Sequence, residues 1–229
     1  MRLNGNRLKI FLADLTHSIN AGATIPLNIG LIASYAIMKF KNEIEVKLFK
    51  YPDKLLQALM EEPCDILGCS NYIWNSNLSH WACKVAKERN QKVLTCMGGH
   101  NFPLLDCQKI RFLQENNYVD IVIPYEGEIA FVNILERMLE ERDRKYIFRD
   151  AIDGCVFLHS DEKKLVEGNT INRMDKLDSI LSPYTNGLLD EFFDGKLVPM
   201  IQTARGCPYS CNYCNISNSY YSKVKLFDT

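Results

Sequence analysis

Five times before residue 143 the chain alternates a short apolar run with a longer helical pattern, and that rhythm constrains the fold more than any other feature. Leu8-Lys-Ile-Phe-Leu-Ala13 is an apolar run stopped by Asp14, the pattern of a buried strand. A loop of small and polar residues, His17 to Thr24, leads to Pro26, which suits the first turn of a helix. Leu27 to Phe40 is apolar nearly all round, as in a helix buried on most sides. Glu43 to Phe49 alternates Ile44, Val46 and Leu48, and Pro52-Asp53 opens a helix through Leu55, Leu56, Leu59 and Met60. Cys64 to Ser70 is a third strand. Its helix, Leu78 to Arg89, places Leu78, Trp81, Ala82 and Val85 on one face and Lys84, Lys87, Glu88 and Arg89 on the other. Lys92 to Met97 is a fourth strand ending in Gly98-Gly99-His100, followed by a weaker helix over Cys107 to Asn117. Val119 to Pro124 is a fifth, running through Tyr125-Glu-Gly-Glu128 into a helix over Ile129 to Arg142.

Five βα units predict an α/β fold: a doubly wound, parallel five-stranded sheet of flavodoxin-like or Rossmann-like type, with strand order 2-1-3-4-5. Ligands of such sheets lie beyond the carboxyl ends of the strands. That edge is predicted to be built from Asp14–Thr24, Ser70–Asn77, Gly98–Phe102 and Tyr125–Glu128. After Arg142-Asp-Arg-Lys145, a charged break, the rhythm stops. Gly154–Leu158 and Lys163–Glu167 suggest a small hairpin turning through His159–Glu162, Met174–Pro183 a connector, and Leu189, Phe192 and Phe193 a short helix or turn. Val198 to Thr203 reads as a new strand. The predicted organisation is a sheet domain over 1–143, a connector with a hairpin over 144–196, and the start of a second domain over 197–229.

Composition narrows the function. With 27 Lys+Arg against 28 Asp+Glu there is no basic excess to draw the chain to nucleic acid, and Lys223 and Lys225 are too few to make a patch. No apolar run approaches the ~18 residues that span a bilayer, so neither a membrane nor a nucleic acid is an expected partner. Met1 to Lys9 lacks the apolar core of a signal peptide, and the expected location is cytoplasmic.

Nine cysteines are many for such a chain, and their positions matter more than their number. Cys64, Cys69 and Cys96 fall on apolar strands as small core residues. Cys83 lies in an amphipathic helix, and Cys107 and Cys155 have no partner spacing. Cys207, Cys211 and Cys214 instead sit together in Ala204-Arg-Gly-Cys-Pro-Tyr-Ser-Cys-Asn-Tyr-Cys214. Three thiolates on one loop suit an iron–sulfur cluster, with one iron left open, or zinc with a fourth ligand from elsewhere.

The string Thr203-Ala-Arg-Gly-Cys-Pro-Tyr-Ser-Cys-Asn-Tyr-Cys-Asn-Ile-Ser217 resembles the Cys-x3-Cys-x2-Cys signature of the radical S-adenosylmethionine (SAM) superfamily, in its cobalamin (B12)-binding branch. Tyr213 stands at that motif's aromatic position. Gly98-Gly99-His100 is similar to the branch's glycine-rich loop, Glu126-Gly127-Glu128 to its loop before the fifth helix, and Leu177-Asp-Ser-Ile180 with Pro183 to its linker. The resemblance implies that Cys207, Cys211 and Cys214 hold a [4Fe-4S] cluster whose open iron binds SAM, which is reductively cleaved to a 5′-deoxyadenosyl radical. It further implies cobalamin as a cofactor over the sheet edge, a small-molecule substrate, and an external electron donor such as flavodoxin or ferredoxin. Gly98, Gly99, His100, Glu126, Gly127, Glu128 and Tyr213 become cofactor-binding candidates. Cofactors supply the hard chemistry and the protein supplies position.

Two departures from the family pattern matter. Where B12 domains that replace the lower cobalt ligand carry Asp-x-His-x-x-Gly, this chain has Asp14-Leu-Thr-His17, one residue too long and with Asn20 at the glycine position. His17 is therefore expected in a loop rather than on cobalt. Only 32 residues run from Val198 to Thr229, whereas a complete (β/α)₈ barrel takes about 250, so this length of chain is expected to bind a cluster poorly and not to turn over. The runner-up reading is a corrinoid- or small-ligand-binding module without catalysis of its own, its cysteines vestigial or zinc-binding. Gly98-Gly99 serves equally as a tight turn or as a close approach to a cofactor, Glu126 and Glu128 suit a helix N-terminus, and Trp74 and Trp81 are expected to pack.

Overall fold

The computed structural model describes residues 7–17, 23–141, 144–159, 164–214, 216 and 219–227. Strands β1 (Leu8–Ala13), β2 (Ile44–Phe49), β3 (Ile66–Ser70), β4 (Leu94–Gly98) and β5 (Ile121–Ile123) are parallel and alternate with helices α1 (Leu27–Phe40), α2 (Pro52–Glu61), α3 (Ser76–Arg89), α4 (Asp106–Glu115) and α5 (Gly127–Glu140). A short α6 (Arg144–Ile147) follows.

The sheet has seven strands rather than the expected five, in the order β2-β1-β3-β4-β5-β6-β7. The hairpin β6 (Val156–Leu158) and β7 (Leu165–Glu167), predicted as part of the connector, pairs antiparallel onto β5. Phe157 and Val156 carry the reason: each is about 1% exposed or less, and they bury opposite faces in opposite cores. The sheet therefore extends past residue 143. The hairpin's predicted turn at 160–162 lies outside the described residues.

Strand side chains alternate between two dry layers. Ile10, Leu12, Ile66, Leu94, Cys96, Ile121 and Ile123 face α1 and α5, while Phe11, Ala13, Leu67, Cys69, Met97 and Val122 face α2, α3 and α4. α1 is buried nearly all round because it takes a second cover: Ile180, Leu189 and Phe192 of the connector, and Leu197 just after it, join its core. Ser34 on α1 donates to the Leu181 carbonyl (2.5 Å) and accepts from Asn186 (2.9 Å), tying the connector down. Pro26 is the cap residue preceding α1 rather than part of its first turn.

The predicted strand over Val198–Thr203 is extended chain without a ladder. It touches the sheet domain through one parallel bridge, Thr24 to Val198, with N–H···O bonds of 3.0 and 2.8 Å. Among the described residues beyond it, β8 (Ala204–Arg205) and β9 (Lys225–Leu226) pair, antiparallel. Ile201 is 81% exposed and Val198 61%, so the apolar pattern that suggested a strand here has no sheet to bury it. The predicted helix over 216–221 falls partly outside the described residues, and 219–221 form a turn.

Candidate functional site

The carboxyl ends of β1, β3, β4 and β5 open into a cavity of about 640 Å³ between the sheet edge, α1, α5 and the segment Met200–Cys207. Leu12, Gly68, Cys96 and Phe131 line its apolar wall. Six of the predicted cofactor residues, Gly98, Gly99, His100, Glu126, Gly127 and Glu128, line it together with Cys207. The seventh, Tyr213, does not: it is 91% exposed, on the outer side of the cysteine loop.

Gly99 is fixed by conformation and by space. Its φ is +131°, and a Cβ would stand 2.6 Å from the Asn71 carbonyl oxygen. The Asn71 N–H donates to the Gly98 carbonyl (2.6 Å) and the Asn101 N–H to the Asn71 carbonyl (3.2 Å), clasping the two loops together. His100 projects from this clasp into contact with Tyr221 (ring centroids 5.4 Å) and Tyr72 (6.2 Å). Burial lowers its pKa, so the ring is neutral near pH 7.

Glu126 and Glu128 do not cap α5 through their side chains, as their position suggested. They are drawn instead to two arginines. Glu126 accepts from Arg173 Nε (2.8 Å), and Glu128 from Arg205 (2.5 Å). Arg205 precedes Gly206-Cys207, so the pair joins the β5–α5 turn to the base of the cysteine loop. Burial disfavours the Arg205 charge, but Glu128 and Glu126 more than offset it, and the net shift is upward.

The three candidate ligands lie on one partly exposed loop, and none of the nine cysteines forms a disulfide. The Cys207 N–H donates to the Tyr221 carbonyl (2.9 Å), and the Cys214 N–H to the Cys211 carbonyl (3.1 Å). Among the described residues no three His, Cys, Asp or Glu side chains stand in a group that could hold a metal ion, so the fold brings Cys207 to the cavity without closing the three thiols on one point. The donor set still fits a thiophilic centre. Burial pushes the Cys64 thiol up to about 12, and those of Cys83, Cys96 and Cys155 upward as well. For Cys83 the hydrogen bond with Cys69 acts ahead of burial. Those four are core thiols poorly suited to ligation as thiolates, whereas Cys207, Cys211 and Cys214 all reach solvent.

Sequence reasoning missed a buried polar cluster behind the cavity wall. Lys50 Nζ lies 2.8 Å from Asp14 Oδ2, with both side chains almost fully buried. Ser70 donates to Asp14 Oδ1 (2.5 Å), and Asn75 Nδ2 donates to Ser70 Oγ (2.8 Å). Ser70 also lines the cavity. The signal was present: β1 and β2 pair in register, Ala13 opposite Phe49, so the residues that end them, Asp14 and Lys50, must meet. His17 is exposed and does not line the cavity. Trp81 packs in the core as expected, but Trp74 is half exposed and stacks flat on Tyr72 at 4.8 Å.

No family model matches the chain. Over 222 residues it is 28% identical to the 2-(S-pantetheinyl)-carbapenam-3-carboxylate methyltransferase of Streptantibioticus cattleyicolor and, again over 222 residues, 28% identical to the cobalamin-dependent radical SAM methyltransferase TokK of Streptomyces tokunonensis. Each match covers 92% of this chain and 31% of the relative, so the chain spans about a third of the length of the curated relatives it matches. Among solved structures it is similar to the cobalamin-dependent S-adenosylmethionine radical enzyme OxsB with aqua-cobalamin and S-adenosylmethionine bound: TM-score 0.66 at 14% identity, over 96% of this chain and 30% of that one. At that identity the likeness is one of fold. TokK and OxsB are by name cobalamin-dependent radical SAM enzymes, and the match falls on one part of each.

Proposed function

We propose that this chain is the cofactor-gathering part of a cobalamin-dependent radical SAM enzyme: a B12-binding-type sheet joined to the cysteine loop that nucleates the catalytic domain. One observation carries the reading. The cavity at the sheet edge gathers Gly98, Gly99, His100, Glu126, Gly127 and Glu128 with Cys207, so the loops that resemble a corrinoid site and the loop that resembles a cluster site face one space. Cys207, Cys211 and Cys214 would hold a [4Fe-4S] cluster, SAM would occupy its open iron, and the corrinoid would lie over Gly98–His100. When bound, the cluster supplies the electron that cleaves SAM and the corrinoid a carrier for a methyl group.

The chain's own residues supply position. Gly98 would leave its backbone open to a flat group, while Gly99 holds the turn against the Asn71 backbone. Neutral His100, held between Tyr72 and Tyr221, offers a ring nitrogen to a polar edge. Apolar Leu12, Phe131 and Ile32 keep water from the wall. Nine cysteines without a disulfide suit a reducing, cytoplasmic setting. The whole enzyme's reaction is methyl transfer or another radical-dependent transfer on a small molecule, with electrons from a flavodoxin- or ferredoxin-like donor.

Anaerobic reconstitution with iron, sulfide and hydroxocobalamin tests this. The expected product is brown, with iron up to about four per chain, weakly held by so short a segment, and a corrinoid. Cys211→Ala removes the cluster absorbance and leaves the corrinoid. The absence of a preassembled three-thiol centre favours the second reading, a corrinoid- or small-ligand-binding module whose cysteines are vestigial or hold zinc. Stoichiometric zinc without iron, or corrinoid alone, would establish that reading instead.

A further inference from the structure

We propose that Arg173 is the positioning residue that fixes the cysteine loop over the sheet-edge cavity, a role that rests on the reading of that loop as the cluster site. Arg173 comes from the connector, 34 residues before Cys207, and no motif marks it. Its side chain is 6% exposed, and all three guanidinium nitrogens are engaged. Nε donates to Glu126 Oε1 at 2.8 Å, one NH2 group to the Arg205 carbonyl at 3.0 Å, and the other to the Lys223 carbonyl. Its cationic plane also lies 5.8 Å from the Tyr220 ring and 5.5 Å from the Tyr221 ring.

The placement of those acceptors gives the role. Arg205 and Lys223 flank the loop that carries Cys207, Cys211 and Cys214, one on each side of it. One cation therefore holds both ends of the loop, and Glu126 anchors that cation to the turn at the cavity's edge. The β8–β9 ladder is only two residues on each strand, too short to be independently stable, and the charge-assisted bonds to Arg173 reinforce it. Gly206 shows how tight the junction is. Its φ is +110°, and a Cβ there would meet the Lys223 carbonyl at 2.7 Å, the Tyr221 carbonyl at 2.8 Å and the Arg173 guanidinium at 3.1 Å. Lysine is no substitute, because a single ammonium lacks the planar fork that reaches three separated acceptors.

The test compares wild type, Arg173→Lys and Arg173→Ala in two forms of the chain. In the metal-free chain, tryptic cleavage at Arg205 and Lys223 is followed alongside thermal melting. Arg173→Ala is expected to speed cleavage at these sites about tenfold or more, with the main unfolding transition unmoved and Arg173→Lys in between. In the reconstituted chain, Arg173→Ala is expected to keep its iron and corrinoid while the electron paramagnetic resonance spectrum of the reduced cluster broadens. Unchanged cleavage, or faster cleavage accompanied by an equal loss of the whole domain's stability, overturns the proposal. An unaltered cluster spectrum beside loosened loop ends overturns it too. If wild type takes up no iron, the cluster reading fails, and cleavage of the metal-free chain still decides whether Arg173 clamps the loop.

Discussion

The sheet domain and the cysteine segment are held by different physics. The described residues between 8 and 167 form a sheet sandwiched between two apolar layers, with Phe11, Phe131 and Phe157 each about 1% exposed or less. Among the described residues from Val198 to Phe227, Val198, Ile201, Tyr209, Tyr213 and Leu226 point outward, Tyr221 is the buried exception, and a four-residue ladder, one parallel bridge and the bonds of Arg173 and Arg205 help to hold the segment. A layered core specifies itself through burial, whereas a loop with the metal-binding role proposed above would have no hydrocarbon interior to do so. It is tied instead by charged donors to backbone carbonyls at its ends.

That contrast breaks most sharply where the two regions are cut separately. Phe131→Ala, in the wall shared by core and cavity, is expected to cost about 3–5 kcal/mol in urea unfolding, since its neighbours on β3 and α5 cannot collapse into the space. Lys50→Ala belongs to the same region by a different mechanism. It leaves Asp14 buried beside Ser70 and Asn75 with its charge uncompensated, and about 3 kcal/mol is the expected loss, read as a lower denaturation midpoint at an unchanged slope. Gly99→Ala is smaller, about 1–3 kcal/mol, and it should weaken corrinoid binding along with stability, because the β-carbon strikes Asn71. By contrast, Cys211→Ala should leave stability within about 0.5 kcal/mol while abolishing the cluster. If it unfolds the sheet domain, the two regions are one cooperative unit and the comparison fails.

The smallest effect sharpens the boundary. Burial lowers the pKa of His80 and His100, so the unfolded chain binds protons more readily than the folded one as pH drops below 6.5. Melting temperature is expected to fall slightly from pH 7 toward pH 5, and His100→Asn to flatten part of that slope. A loss that grows in the variant would show that His100 is protonated in the folded chain.

The same contrast explains what the sequence revealed. The five parallel strands and their helices were legible because burial on one face or two writes itself as a period. The hairpin β6–β7 was missed as part of the sheet because three-residue strands carry almost no period, and only Phe157 and Val156, burying opposite faces, betray it. Val198–Thr203 departs for the converse reason: it has the apolar pattern of a strand, but no neighbour covers it. At the site, loops adjacent to strand ends were found, and the cysteines announced themselves by spacing. Arg173 and Lys50 stayed invisible, since their partners lie 47 and 36 residues away in sequence and become neighbours only through topology. Glu126 and Glu128 sit where helix caps sit, but their buried arginine partners outcompete the cap.

The most direct measurement of the central claim is iron and corrinoid content of one anaerobically reconstituted sample, beside Cys211→Ala. The account predicts iron, up to about four per chain and below that where the short segment holds the cluster weakly, with a corrinoid in wild type, and the corrinoid alone in the variant. Wild type that takes up zinc but no iron, or iron that survives in Cys211→Ala, contradicts it.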